Sequence, residues 1–250
     1  MLTETVTVNN SDTTTQYIYN EQNHLLSATE TSGGAERTTA FYYDNNCNQI
    51  SKLVSTIAVP NGDAEYAFAQ PGSVSGDDIS FELDGYDTFG RLVSVRNDLS
   101  TAEYSYNADG LRTSKAVTTD GVTTTTRFLY EGGHITHEFD AAGNRTAYNV
   151  YGGESIISRT TAQGTDYYLY NGRGDVVQLA TTWGAVSVDY DYDTVGNLLA
   201  GYLDDTNPFR YCGEYWDDES RTYYLRARYY SPQTGRLTGA MSSVHLALNT

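Results

Sequence analysis

The chain has 250 residues, a formal net charge of −17 and a 39% hydrophobic content in which 23 Tyr outnumber 7 Phe and 2 Trp. Such an acidic chain has no basic stripe to neutralise phosphates, which argues against nucleic-acid binding and against adsorption to an anionic membrane. It has no run of 18 apolar residues, so nothing is expected to span a membrane as a helix.

A hydrophobic share below the usual level of about 45–50% suits a thin sheet with one wetted face. Tyr serves such a sheet because it buries a ring and keeps its hydroxyl hydrated. Thr and Val add to the preference for strands. At the start, Met1-Leu2-Thr3-Glu4-Thr5-Val6 lacks the charged and apolar regions of a signal peptide. The isolated chain is therefore expected in the cytoplasm, unless an export signal lies on a part not present here.

Along the chain one phrase recurs: aromatic, any residue, Tyr, Asp or Asn, a short gap, Gly or Asn, then an aliphatic. Tyr17-Ile18-Tyr19-Asn20 and Phe41-Tyr42-Tyr43-Asp44 are the first copies, with Asn23 and Asn48 expected to replace the turn glycine. Asn is the next-best residue for the left-handed conformation. Residues 58–80, rich in Gly, Pro, Asp and Ser, break the spacing and read as a loop-like insertion or decayed repeat. The phrase returns at Tyr86-Asp87-Thr88-Phe89-Gly90-Arg91-Leu92, at Tyr104-Ser105-Tyr106-Asn107, at Phe128-Leu129-Tyr130-Glu131 and at Tyr168-Leu169-Tyr170-Asn171. Phe139 to Arg145 spells a further turn. A spacing of roughly 20–25 residues is the signature of a repeat architecture.

The clearest copy shows what the unit builds. Val186, Val188, Tyr190 and Tyr192 alternate with Ser187, Asp189, Asp191 and Asp193, which predicts one strand with two faces. Thr194-Val195-Gly196-Asn197 turns the chain, and Leu198-Leu199 begins the return. The fold class is therefore all-β, with repeated antiparallel β-hairpins forming a curved strip. Near the end, the alternation of Tyr223, Leu225, Ala227 and Tyr229 predicts one more strand, with Arg226 and Arg228 on its opposite face. Cys47 and Cys212 are expected to be free, semi-buried thiols.

Motifs with a chemical spelling have plainer readings. Asp217-Asp218-Glu219 has the carboxylates for glycoside hydrolysis, but it reads as a polar turn between core strands. Asp189 to Asp193 opens like a calcium loop, yet Thr194 and Ala200 stand where Gly and Glu are required. His134 and His137 face opposite sides of a strand, which is poor for one metal. Arg173-Gly174-Asp175 spells an adhesion tripeptide inside an ordinary turn. Gly172-Arg173-Gly174 lacks the setting of a phosphate site. Aromatic rows could grip sugar, but cross-strand packing needs the same rows. No nucleophile, cofactor site or metal site is expected.

The repeated phrase resembles the YD repeats of the RHS and wall-associated protein family, shared by teneurins. The segment Asn207-Pro208-Phe209-Arg210-Tyr211-Cys212-Gly213-Glu214-Tyr215-Trp216-Asp217-Asp218-Glu219, followed by Tyr223-Tyr224-Leu225-Arg226-Ala227-Arg228-Tyr229-Tyr230-Ser231-Pro232-Gln233-Thr234-Gly235-Arg236-Leu237, resembles that family's RHS-associated core. Tyr168 to Leu179 is similar to the start of the core. The resemblance implies a YD-repeat strip over 1–164, a core over 165–237 and a divergent, disordered tail over 238–250. It implies structural roles for Asn207, Pro208, Tyr211, Gly213, Tyr215, Tyr223, Tyr224, Leu225, Arg226, Arg228, Tyr229, Tyr230, Pro232, Gly235 and Arg236.

In that family the strip spirals into a hollow shell that is secreted or displayed at the cell surface, and a C-terminal effector is often enclosed and released by aspartyl self-cleavage. Here the Asp-Pro pair that follows the core is absent, and no Asp or Glu follows Glu219. The self-cleaving carboxylates therefore have no counterpart, and the expected gene product is truncated near residue 238. About 16 strands at about 4.8 Å spacing would roll into a ring only about 24 Å across, too narrow for a folded cargo. The expected function is a non-catalytic scaffold, a segment of a larger toxin-type shell whose partners are the rest of that shell or an effector. The alternative is a surface module that binds glycan or cations.

Overall fold

The computed structural model describes residues 2–8, 11–32, 35–55, 79–200, 206–226 and 228–238. The chain divides into two compact units, Met1–Tyr86 with Arg96–Asp98, and Asp87–Val95 with Leu99–Thr250. The first holds β1 (Leu2–Val8), β2 (Ser11–Tyr19), β3 (Leu25–Ser32), β4 (Ala35–Tyr43), β5 (Gln49–Ser55) and β6 (Ile79–Tyr86). Each pairs antiparallel with the next. β7 (Leu92–Asn97) contributes residues to both units.

The second unit continues with β8 (Ser100–Tyr106), β9 (Arg112–Thr119), β10 (Val122–Glu131), β11 (His134–Phe139), β12 (Arg145–Gly152), β13 (Ser155–Thr161), β14 (Gly164–Tyr170), β15 (Val176–Thr181) and β16 (Val186–Asp189). These nine strands lie side by side in chain order, and among the described residues no pairing closes them into a barrel. A two-stranded hairpin follows, β17 (Asp191–Tyr192) with β18 (Leu198–Ala200). The core segment forms a four-stranded sheet of β19 (Tyr215–Asp217), β20 (Thr222–Tyr224), β21 (Tyr229–Ser231) and β22 (Arg236–Thr238). The all-β expectation holds, and among the described residues there is no α-helix.

One turn recurs, and its chemistry explains the Asp or Asn of the repeat. At Asp193 the backbone N–H bonds the Asn197 carbonyl, and Gly196 N–H returns to the Asp193 carbonyl. The Asp193 carboxylate then accepts from Val195 N, Asn197 N and Asn197 Nδ2, at 2.9, 2.9 and 2.7 Å. An acceptor three bonds from its own Cα satisfies the turn's inward-facing donors. The same backbone pair closes the turns that begin at Asn20, Asp44, Asp87, Asn107, Asp140 and Asn171.

The fourth turn position needs a left-handed residue. Asn23 supplies it at φ 63°, as expected. In the second copy Cys47, not Asn48, takes that conformation at φ 66°, which corrects the assignment there. Asn48 instead donates its side chain to Asp44 at 2.7 Å. The Phe128 copy also departs, because Gly132 and Gly133 both have positive φ and close a two-residue turn between β10 and β11.

After the turn the return strand carries one extra residue. Tyr170 pairs with Val176 while Leu169 pairs with Gln178, so Val177 is left over. The bulge puts Val176 and Leu179 on the same buried face, three apart rather than two. Leu92 and Val95 repeat this pattern. In five copies the last Tyr before the turn then lies over the preceding return strand and donates its hydroxyl to a backbone oxygen. Tyr43 reaches Leu25, Tyr106 Leu92, Tyr151 Ile135, Tyr170 Ile156 and Tyr192 Val176, at 3.0, 2.5, 3.2, 2.6 and 2.9 Å.

Three further expectations change. The predicted strand over 186–192 is split at Tyr190, whose N–H bonds the bulge carbonyl of Val177 at 2.8 Å. The strand predicted through 223–229 is a hairpin instead. Arg226 takes φ 64° and Leu225 N–H bonds the Arg228 carbonyl, so Tyr224 pairs with Tyr229. The insertion at 58–80 lies outside the described residues except for Ile79 and Ser80, which belong to β6.

Candidate functional site

In the second unit, the first two inward positions of β9 are cationic. Arg112 and Lys115 stand three apart, as Val176 and Leu179 do on β15. A buried cation must be paired, and the partners come from the core segment more than a hundred residues later. Both guanidinium Nη atoms meet the Asp217 carboxylate, Nη2 at 3.1 Å. Lys115 Nζ reaches Asp217 at 2.9 Å and Glu219 at 3.1 Å. Tyr104 donates its hydroxyl to Glu219 at 3.0 Å, and Tyr224 accepts the Arg112 backbone N–H at 2.7 Å. The rings of Tyr224, Phe128, Tyr104 and Tyr215 surround the guanidinium at 4.3–5.4 Å.

The two carboxylates are held in opposite directions. Burial alone would raise Asp217, but Arg112 and Lys115 keep it below the usual carboxylate range. Burial and then the neighbouring Asp217 charge push Glu219 up, against the pull of Lys115. A divergent pair is what acid–base hydrolysis uses. Here, however, Asp217 is 0% and Glu219 8% exposed, and their oxygens already face Arg112, Lys115 and Tyr104. Residues 217–219 do open the polar turn between core strands β19 and β20, and the Asp217 and Glu219 side chains in addition form a buried ionic lock between strip and core. Asp218 remains exposed and accepts the Trp216 indole N–H.

Three more polar anchors join the same elements. Arg159 on β13 binds Glu138 at 2.6 and 3.0 Å and Asn149 at 3.1 Å, with its guanidinium 5.9 Å from the Phe209 ring. Asp175, 0% exposed, accepts from Asn171 Nδ2 at 2.7 Å and from Cys212 N at 3.1 Å. The Arg-Gly-Asp spelling therefore presents no free carboxylate. Asn207 accepts from the Tyr168 hydroxyl and donates to the Tyr190 hydroxyl at 3.1 Å.

The residues singled out from the core pattern pack on one another and on the turns at 171–175 and 193–197. The Pro208 carbonyl accepts Trp216 N at 2.7 Å, and Gly213 faces the Gly174 carbonyl. Tyr211 packs flat on Gly196, where a Cβ would lie 2.5 Å from its ring. Tyr223 and Tyr230 donate to the Gly196 and Val195 carbonyls at 3.3 and 2.8 Å, and the Pro232 carbonyl accepts from Asn197 at 3.1 Å. Gly235 takes φ 63° beside Val195, and Arg236 pairs with Ser231. Tyr215, Tyr224 and Tyr229 are buried around Arg112. Leu225, Arg226 and Arg228 form the hairpin already described.

Sequence reasoning missed Arg112, Lys115, Glu138, Asn149 and Arg159. A usable signal existed for the first two: a charge at a repeat position that carries Leu25, Leu92 or Val176 elsewhere. The thiols also differ from expectation. Cys47 and Cys212 are free but exposed, because the left-handed turn positions they occupy point their side chains outward. His134 and His137 have separate neighbours, Tyr151 and Tyr148, and no group of three metal-binding side chains occurs among the described residues. Asp189 and Asp191 are exposed, while Asp193 is committed to its turn.

No protein-family model matches the sequence. The chain is 27% identical over 230 residues to a protein of Bacillus spizizenii named tRNA3(Ser)-specific nuclease WapA, covering 89% of this chain and 9% of that protein. It is 28% identical over 189 residues to the toxin protein Tse5 of Pseudomonas aeruginosa, covering 60% of this chain and 14% of Tse5. The chain thus spans about a tenth of the relatives it matches. Among solved structures, a TcdB2–TccC3–TEV crystal structure superposes with a TM-score of 0.57 at 19% identity, over 91% of this chain and 12% of that one. At that identity the likeness shows the fold.

Proposed function

The chain belongs to the RHS/YD-repeat family, and we propose that it acts as a non-catalytic scaffold, one segment of a larger toxin-type shell that encloses or presents an effector. The observation that carries this reading is the buried lock of Arg112, Lys115, Asp217 and Glu219. The core segment's paired carboxylates, the groups best suited to hydrolysis, are spent on fastening that segment to the strip. A site that must admit substrate would leave at least one of them open to solvent. The tRNA nuclease named for WapA is a property of proteins some ten times longer, and we assign that chemistry to parts of them outside the matched region.

We infer that the parent protein acts outside the cell or on its surface, a reading supported by its similarity to toxin proteins. No helix among the described residues is long and apolar enough to cross a membrane.

The test is incubation of the purified chain, followed by intact mass measurement and by assays on tRNA and on cell-wall glycan fragments. An unchanged mass and no turnover are expected. Spontaneous cleavage near residue 237, or tRNA or glycan turnover that Asp217→Asn abolishes, would overturn the scaffold reading. Specific glycan binding without turnover would favour the surface-module alternative.

A further inference from the structure

The hairpin of β11 and β12 writes the repeat on the other side of the sheet. Strands β8 to β16 advance in one direction. The turn at 140–144 comes three turns after the one at 107–111, so it lies at the opposite edge. Both turns close with the same backbone hydrogen bonds. A turn of the same hand, moved to the other edge while the strands keep advancing, must turn its face over. Burial agrees: Glu138, Ala147 and Asn149 are buried toward the core, so His137, Phe139, Arg145 and Tyr148 point away from it. These four hold the repeat positions of Tyr104, Tyr106, Arg112 and Lys115.

On the core side, that arrangement holds a carboxylate. Arg112 meets Asp217 amid the rings of Tyr104, Phe128, Tyr215 and Tyr224. On the outer face the corresponding cation has no such partner. Arg145 is exposed, with its guanidinium 5.7 Å from the Tyr148 ring. Arg127 on β10 is exposed as well, and among the described residues neither has an ion pair. The register sets Arg127, Phe139 and Arg145 side by side on three adjacent strands, so two guanidinium groups flank one ring. Beside them His137 stacks on Phe139 at 6.0 Å and meets Tyr148 at 4.9 Å. Leu129, opposite His137, is 51% exposed. The carboxylate of the intervening turn, Asp140, is taken up by Asn144 N and Nδ2 at 2.8 and 2.9 Å.

Unpaired guanidinium forks favour carboxylates, and the rings with Leu129 offer apolar contact next to them. A chain of net charge −17 repels a long polyanion. The fit is therefore to one or two carboxylates with an apolar neighbour, as an acidic polypeptide segment carries. The strands bearing the two arginines lie about 10 Å apart, and alternate side chains of an extended peptide about 7 Å apart. Two long Arg side chains span that difference.

We propose that the outer face of β10–β12 docks an acidic segment of a partner polypeptide, with Arg127 and Arg145 each taking a carboxylate and the rings of His137, Phe139 and Tyr148 receiving an apolar side chain in the same alternating register. This is independent of the scaffold reading, since its failure would leave the mass and turnover assays unaffected.

Calorimetric titration of the whole chain tests it, with acetyl-Leu-Ser-Glu-Ser-Glu-amide as probe, its double-Gln counterpart as neutral control and tetragalacturonate as an acidic glycan. Saturable binding of the Glu peptide is expected, tighter than that of the other two. Arg127→Gln and Arg145→Gln should each weaken it about two- to five-fold, and the double variant should no longer prefer Glu over Gln. Arg37→Gln removes the same charge from the first unit and should leave the affinity unchanged. All three arginines are exposed, so their replacement leaves the fold intact, and circular dichroism verifies this. The proposal is overturned by equal binding of the Gln peptide, by no binding of the Glu peptide, by unchanged affinity in the double variant, or by an equal loss in Arg37→Gln. Tighter binding of tetragalacturonate would overturn it too, by reassigning the face to acidic glycan.

Discussion

The hydroxyl of Tyr170 donates to the backbone carbonyl of Ile156 at 2.6 Å, and this bond explains why the repeat is written with Tyr and not Phe. The bulge after each turn places the last aromatic of a strand over the previous return strand, where a carbonyl awaits a donor. Burial pushes the Tyr170 hydroxyl up, so it remains a protonated donor at neutral pH. Tyr170→Phe removes the bond and leaves the Ile156 carbonyl without that donor. The expected cost is about 1 kcal/mol of unfolding free energy, read from the urea midpoint. An unchanged midpoint would reduce the motif to ring packing.

Much of the strip was legible because its turns are chemical sentences. Asp or Asn followed three residues later by Gly specifies both the side-chain acceptor and the left-handed residue, and Asn23 could be placed on that ground alone. Cys47 could not, because a thiol at φ 66° carries no compositional signal. The bulges were hidden too, since alternation alone predicts an unbroken strand through Tyr190. The lock was half-legible. Asp217 and Glu219 were noticed as carboxylates, but their meaning depends on Arg112 and Lys115, more than a hundred residues away. Only the contrast of Arg112 with Leu92 and Val176 at the same repeat position hints at a partner to be found.

Arg112 and Asp217 should behave as a unit. Arg112→Met leaves a buried carboxylate without its main partner, at an expected cost of about 3–5 kcal/mol. Asp217→Leu alone should cost a comparable amount, because it strands the guanidinium. The double variant should recover much of the loss, since Lys115 and Glu219 still pair with each other. A double-mutant cycle by urea unfolding measures this, and simple additivity of the two losses would contradict a coupled lock.

The lock also sets a pH dependence. Glu219 is raised above its ordinary 4.5. Between that value and its folded one, the native state holds a proton that the unfolded chain has released, so stability falls as pH rises through the folded value. Asp217 is depressed below 3.8, so its contribution is complete above that pH and is lost as pH falls through its folded value. Glu219→Gln should therefore gain stability relative to the parent chain as pH rises from about 4 to about 7. Urea midpoints at four or five pH values would show this as a widening difference. A constant difference would mean that Glu219 is not raised in the folded chain.

Cys212 is exposed yet should be a slow thiol. Burial of its surroundings and then the Asp175 carboxylate push its pKa up to about 11. Its thiolate is therefore scarce near neutrality. Labelling of a Cys47→Ser variant with a disulfide reagent should give a rate that keeps climbing well above pH 9, toward about pH 11. Asp175→Asn should shift the climb to lower pH. A rate that levels off near the ordinary thiol value of about 8.5 would remove Asp175 from this role.

Gly143 and Gly196 distinguish turn conformation from core docking. Both have positive φ, 87° and 91°, so alanine costs each about 1–2 kcal/mol of left-handed strain. At Gly143 a Cβ meets nothing within 4 Å, whereas at Gly196 it lies 2.5 Å from the Tyr211 ring. Gly196→Ala must therefore also displace Tyr211, which donates to the Thr194 carbonyl at 3.2 Å and packs against Tyr192, Tyr223 and Tyr230. Overpacking of this kind adds about 1–3 kcal/mol. Urea unfolding should place Gly196→Ala below Gly143→Ala by that margin. In Gly196→Ala the near-ultraviolet tyrosine signal should change, because the ring cluster is disturbed, and in Gly143→Ala it should stay the same. Equal losses at the two sites would mean that Tyr211 does not rest on Gly196, and the contact between residues 209–230 and the 193–197 turn would have to be withdrawn.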